Sequence, residues 1–453
     1  MSKILTAWNP EDAAQWTGGA RDIARRNLWI SIPALFLAFA VWMVWSAIVV
    51  KLPRIGFTFT TEQLFWLTAL PGLSGATLRI FYSFMVPIFG GRRWTAISTA
   101  SLAIPAIGIG MAVQDLSTPY SVFIILALLC GFGGGNFASS MANINYFYPK
   151  KEKGNALALN AGLGNLGVSA VQFLAPLVMT IGLFGSIGGT SQIEAGNTVW
   201  LQNAAFVWVP FIAVATVAAW FGMNDIAEAK ASLSTQMAIF QRKHNWIMCI
   251  LYVGTFGSFI GFSAGFPLLA KTQFPEVNVM QLAFLGPLIG AMTRAGSGWI
   301  ADRYGGGRVT IWVFIIMMIG ALGVLYFLEN KELSYAFHGF FAMFLLLFAA
   351  TGVGNASTFQ MIPTIFRTER GRALKGQPDE SIRKAAELEG AATIGFSSAI
   401  GAFGAFFIPK SYGTSIALTG TPNAALVVFF VYYGICLLLT WWYYTRKKAE
   451  IPC

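Results

Sequence analysis

The chain has 453 residues, of which 56% are hydrophobic, 15% aromatic and only 11% charged, with a formal net charge of +11. Soluble globular domains carry about a quarter charged residues, so this composition and a mean hydropathy of +0.63 exclude a water-facing protein, and with it a nucleic-acid partner as the reason for the basic balance. Cys130, Cys249 and Cys436 lie in apolar stretches and Cys453 is the last residue, which leaves neither a disulfide framework nor a paired metal site.

Residues 1–27 are polar and place Arg21, Arg25 and Arg26 just ahead of the first apolar run, which is too long and bulky for a cleaved signal peptide. A bilayer crossing needs about 20 apolar residues. Runs of that kind predict helices near 28–50, 62–89, 94–113, 119–147, 156–184 and 199–222. A second set follows near 245–270, 280–301, 308–328, 335–362, 391–415 and 423–445. The polar stretch 223–244 predicts a linker between an N-terminal half, 1–222, and a C-terminal half, 245–453. The mixed-charge stretch 367–390 reads as an amphipathic loop. The expected fold class is an all-α membrane protein, with twelve transmembrane helices in two pseudo-symmetric six-helix bundles.

The basic residues are distributed unevenly over this plan. Of 30, the N-terminus, the even-numbered loops and the C-terminus hold 23, and the opposite side holds 5. That bias places both termini in the cytoplasm of a multi-pass protein. The remaining two, Arg79 and Arg294, fall inside spans.

The halves repeat one another. Arg79 is followed after 11 residues by Gly90 and after 14 by Arg93; Arg294 is followed at the same spacings by Gly305 and Arg308. Gly135-Asn136 matches Gly354-Asn355, and Ser46-Ala47 matches Ser263-Ala264. The offsets are 215, 219 and 217, so one alignment accounts for all three, as in transporters built from two related halves around a midplane site. The stretch from Gly298 through Asp302, Arg303 and Gly305 to Arg308 resembles the GxxxD(R/K)xGxxx(R/K) loop signature of the major facilitator superfamily. Its counterpart after the second span keeps Gly90 and a basic pair but has Pro87 where the aspartate would stand. The signature implies the fold and a cytoplasmic gate latch at Asp302 and Arg303.

A charge at membrane depth costs at least about 2.5 kcal/mol, so an intramembrane arginine is a functional candidate by default. The alternative is a structural ion pair, yet none of the 19 acidic residues falls mid-span, with Asp302 and Glu389 at span ends. The repeat relates Arg79 to Arg294, so the two are expected to face one another across a pseudo-twofold axis. A guanidinium offers a planar fork of donors that a lysine lacks, and two forks suit one small planar monoanion. Phe137 lies on the fourth span, and Tyr252 and Phe256 stand one turn apart on the seventh; most rings in a span pack or face lipid, and these three become candidates to flank the anion only through the resemblance that the glycine-rich spans carry.

Glycines recur in the fifth span at Gly162, Gly164 and Gly167, and in the eleventh at Gly401 and Gly404, a spacing that lets helices approach closely. These two stretches resemble the paired nitrate signatures of the nitrate/nitrite porter family within the major facilitator superfamily. Residues 71–93, 131–140 and 255–265 are similar to that family too, and the resemblance covers nearly the whole chain. It implies that Arg79 and Arg294 clamp the anion, that Asn165 and Tyr252 donate hydrogen bonds, and that Phe137 and Phe256 sandwich it beside Gly164. Ala161 stands where the family pattern has glycine.

The expected function is therefore secondary transport of nitrate and nitrite by alternating access, as an exchanger serving nitrate assimilation in the bacterial inner membrane. No enzyme activity, cofactor, metal or nucleic acid is expected, and the partners are the two anions and the lipid bilayer, with the chain a monomer. Two facing cations about 8 Å apart repel by roughly 2 kcal/mol at an effective dielectric of 20, which disfavours closing the empty carrier and favours exchange. Nitrate–proton symport is the alternative. It needs a titratable group on the path, and the spans offer only His338, with His244 at a helix edge. A haem-bearing subunit would need more histidines than the two present. A non-transporting anion sensor and a porter for another small anion are the other readings.

Overall fold

A computed structural model describes residues 3–227 and 238–453. Among those residues, eleven helices are long and apolar enough to cross a membrane. The first six are α1 (Ala13–Ile48), α2 (Thr61–Tyr82), α3 (Gly91–Ala112), α4 (Tyr120–Phe147), α5 (Lys150–Val178) and α6 (Asn203–Gly222). Then come α7 (Lys243–Gln273), a broken α8 (Leu285–Gly296 and Gly298–Tyr304), α9 (Gly306–Glu329), α10 (Ala336–Ala373), α11 (Asp379–Thr419) and α12 (Asn423–Thr445). Apart from their end turns, helices satisfy their backbone groups within the segment, which is what lipid demands. Thr60 and Gln63 form a capping box at the start of α2, satisfying amides that the first turn leaves unbonded.

The eighth span departs from a continuous helix. It breaks at Ser297, between Gly296 and Gly298, where three poor helix formers stand together. The break falls three residues after Arg294. In the first half α2 likewise stops at Tyr82, so that its break begins four residues after Arg79, and a short helix, Met85–Phe89, follows. Both short helices end on a glycine with positive φ, Gly90 at 86° and Gly305 at 87°, which a side chain would strain. The repeat read from spacing is thus also a repeat of backbone geometry.

A second departure concerns 367–390, expected as a loop. α10 continues to Ala373 and α11 begins at Asp379, so only five residues lie outside helix. A buried carboxylate anchors the second of these helices: Arg242 Nε and Nη2 donate to Glu389 at 3.0 Å each, and Arg370 Nε lies 3.4 Å from it. Asp379 and Glu380 occupy the first turn of α11, where negative charge suits the helix dipole. Of the expected linker 223–244, residues 228–237 lie outside the described residues.

Among the described residues four short strands add to the helices. β1 (Ile4–Leu5) pairs in parallel with β4 (Asp225–Ile226), and β2 (Gln192–Glu194) pairs antiparallel with β3 (Asn197–Val199). The β2–β3 turn is Ala195-Gly196, both at positive φ, 49° and 83°, which matches the twist of a tight hairpin.

The chain divides into two compact units: Met1–Lys230 with Ser263–Phe284, and Ala231–Phe262 with Leu285–Cys453. In the first, α4 packs on α1 and α2, α5 on α1, and α6 on α3. In the second, α10 packs on α8, α9 and α11, and the first part of α7 packs on α11. Glycines sit at the tightest crossings. A Cβ built on Gly134 would lie 2.6 Å from the Gly75 Cα, and one on Gly404 2.2 Å from the Gly257 oxygen. Such contacts supply van der Waals packing where water exclusion supplies no drive.

Candidate functional site

In the first unit a candidate site forms around Arg79. This residue lies on α2 and is 1% exposed. Its Nε donates to the Gly134 carbonyl of α4 at 2.8 Å. Its Cζ lies 4.7 Å from the Phe137 ring centroid and 5.1 Å from that of Trp42 on α1. Trp42 is itself fixed, because its Nε1 donates to the Pro71 carbonyl at 2.7 Å. Aromatic faces carry negative charge density, so the rings stabilise the cation without neutralising it.

Asn165 on α5 is fully buried, and neither its amide nitrogen nor its oxygen has a hydrogen-bond partner among the described residues. A buried, unsatisfied amide costs about 1–3 kcal/mol, a penalty that a functional ligand would remove. The neighbouring glycines differ from one another. A Cβ on Gly167 would sit 2.0 Å from the Phe36 carbonyl, and one on Gly164 2.7 Å from Leu35, so both are crossing contacts with α1. Gly162 has open space at its Cβ position and is not such a contact.

The second unit places Arg294 on α8 beside three rings. Its Cζ lies 5.9 Å from Phe256 and 5.7 Å from Phe359. Its Nη2 donates to the Tyr252 hydroxyl at 3.4 Å, and its Nη1 has no hydrogen-bond partner among the described residues. No carboxylate among the described residues comes within ion-pairing distance of Arg294. Tyr252 stacks on Phe256 at 5.3 Å and on Phe359 at 4.4 Å, each with an interplanar angle of 13°. Tyr252 is followed by a π-helical turn, Val253–Gly257, which carries Phe256, a geometry frequent at functional sites. Gly401 on α11 makes room for this stack, since a Cβ there would lie 2.8 Å from the Tyr252 ring. Thr293, next to Arg294, ties α8 to α10 through a bond to the Ala349 carbonyl at 3.1 Å.

The buried carboxylates serve other cations. Glu194 pairs with Lys51 and Arg54, Asp225 with Arg92, and Glu389 with Arg242 and Arg370. At the signature loop, Asp302 accepts from Gln360 Nε2 at 2.9 Å, and Arg303 lies 5.6 Å over Tyr304. His244 is engaged with the Tyr444 hydroxyl at 2.9 Å.

Trp42 and Phe359 were not foreseen. Hydropathy cannot tell a ring that faces an arginine from one that faces lipid, and Trp42 carries no other mark. For Phe359 a signal existed: it lies one helical turn after Asn355, the repeat mate of Asn136.

Comparison with known proteins gives concordant results. The Major Facilitator Superfamily matches residues 31–376. The chain is 54% identical to the nitrate/nitrite transporter NarU of Escherichia coli strain K12, over 98% of this chain and 97% of that protein. It is 41% identical to a Thermus thermophilus protein named "Probable nitrate/nitrite antiporter NarK2", over 99% of this chain and 98% of that one. A crystal structure of the nucleoside transporter NupG superposes with a TM-score of 0.58 at 12% identity, covering 93% of this chain and 98% of that one. That likeness concerns the fold alone.

Proposed function

The chain belongs to the major facilitator superfamily, and from that premise we propose that it carries nitrate and nitrite by alternating access, exchanging one for the other. The observation that carries the reading is a buried or half-buried arginine at the same repeat position in each half, laid against aromatic rings. The names of the full-length relatives support the choice of anion.

In this reading the guanidinium edges of Arg79 and Arg294 grip the planar anion, each fork giving charge-assisted hydrogen bonds. Phe137 and Phe256 offer flat faces, Tyr252 and Asn165 donate hydrogen bonds, and Gly164 keeps the wall close. Gly167, Gly401 and Gly404 are the crossings on which helices shift, while Asp302 and Arg303 belong to the gate loop. The working units are the halves 1–222 and 245–453, joined by 223–244. The chain acts as a monomer in the bacterial inner membrane with both termini in the cytoplasm, binds no nucleic acid, and needs no cofactor.

The test is counterflow in proteoliposomes. Labelled nitrate enters quickly against trapped nitrite, and slowly into vesicles with no trans anion. Fast net nitrate uptake without a trans anion would refute exchange, and uptake driven by an imposed pH gradient would point to proton symport.

A further inference from the structure

The first gate signature lacks its aspartate, since Pro87 occupies the position that Asp302 holds in the second. An acidic group nevertheless stands at that turn. Asp225, three residues beyond the end of α6, reaches back across 133 positions. Its Oδ1 accepts from the backbone N–H of Arg92 at 2.8 Å, and its Oδ2 accepts from Arg92 Nε at 3.2 Å. Arg93 Nε lies 4.0 Å away. Both side chains of the main pair are buried, 7% exposed for Arg92 and 9% for Asp225. The pair lies against the Gly90 turn so closely that a Cβ on Gly90 would be 2.4 Å from Asp225 Oδ1.

Arg92 is bound in turn to α6. Its Nη1 donates to the Trp220 carbonyl at 3.0 Å, and its guanidinium lies 5.1 Å over the Trp220 ring. Asp225 is held from its other side by the N-terminal strand, donating its N–H to the Lys3 carbonyl at 2.8 Å within the β1–β4 pair. The second half has a counterpart at the same repeat position. Gly307, 215 residues after Arg92, donates its N–H to the Cys453 carbonyl at 3.2 Å. In each half, then, the second residue of the third helix is bound by a group that follows the sixth helix.

We propose that Asp225 is a positioning residue for transport: it replaces the missing signature aspartate from the far end of the half and fastens the Gly90 turn, the start of α3 and the end of α6 into one body. Two effects act together. The carboxylate neutralises Arg92 in a buried place, and it caps the Arg92 amide at the positive end of the α3 dipole. Because β1 holds Asp225, the N-terminal segment becomes part of the gate brace. The role extends the transport reading, and its first measurement needs no substrate.

The experiment compares purified full-length protein with Asp225→Asn, which keeps size and one acceptor but loses the charge, and with Asp225→Ala, which loses both. Amide hydrogen exchange of residues 90–95 is expected to speed up at least 10-fold in the asparagine variant and further in the alanine variant. In proteoliposomes, the maximal nitrate/nitrite exchange rate of Asp225→Asn is expected to fall at least 3-fold, with the half-saturating anion concentration unchanged. Unchanged amide protection in a folded Asp225→Asn protein would overturn the brace. Lost protection with a wild-type maximal rate, or a changed half-saturating concentration, would overturn its positioning role. Should the wild-type protein exchange no nitrate at all, the transport reading fails, and the amide measurement still decides the brace.

Discussion

Replacing each central arginine by lysine keeps the charge and removes the fork, and the two sites are expected to respond differently. In Arg79→Lys the bond from Nε to the Gly134 carbonyl, 2.8 Å long in a fully buried place, is lost. A hydrogen bond to a charged group contributes about 1.5–3 kcal/mol, of which the ammonium regains part by pointing at the same rings. The net expectation is about 1–2 kcal/mol of lost stability. Arg294 makes a longer bond of 3.4 Å to the Tyr252 hydroxyl and is only half-buried, so Arg294→Lys should cost less than about 0.5 kcal/mol. Transport should fall in both. Losing one charge-assisted arm on the anion is worth about 1.5–3 kcal/mol, or roughly 10- to 150-fold in exchange efficiency. The assays are thermal unfolding of purified protein and nitrate/nitrite counterflow in proteoliposomes. Exchange within 3-fold of wild type for either lysine variant, or equal destabilisation of the two, would refute this reasoning.

Other outcomes follow from single contacts. Asn165→Leu removes a buried amide whose two polar atoms lack partners among the described residues; it should raise the unfolding temperature while cutting exchange at least 10-fold, and normal transport would remove Asn165 from the site. Gly404→Ala places a methyl 2.2–2.4 Å from the backbone of Gly257. That crossing must open, at a cost of about 1–3 kcal/mol for overpacking; unchanged thermal stability would show that α7 and α11 separate freely. Burial raises the carboxyl pKa of Glu194, but hydrogen bonds from Lys51 and Arg54 outweigh this and hold it below its usual value of 4.5. Its contribution to stability is therefore fully present above about pH 4.5 and lost as the pH falls through the folded value. Unfolding temperature should decline on acidification below that point, less steeply in Glu194→Gln; parallel profiles for the two proteins would contradict the pairing.

The residues that the sequence singled out and those that the structure added differ in kind. Arg79 and Arg294 were legible because a cation in an apolar run is an anomaly along one dimension, and their shared spacing to Gly90 and Gly305 tied them together. Tyr252 and Phe256 share a helix face by spacing and do stack, but the family resemblance, not the spacing, marked them as candidates. Trp42 and Phe359 come from other helices, and only packing brings them to their arginines.

Hydropathy, charge asymmetry and internal repetition determined the helical membrane architecture, its two related halves and the arginine in each, because these depend on composition along the chain. Tertiary structure alone decided the rest. Glu389, in the largely helical 367–390 stretch, meets Arg242 from 147 positions away, and a carboxylate stands at the Gly90 turn because α6 returns Asp225 to it. Buried polar groups take their partners from whatever the fold brings within about 3 Å, and that proximity is not written in the order of the residues.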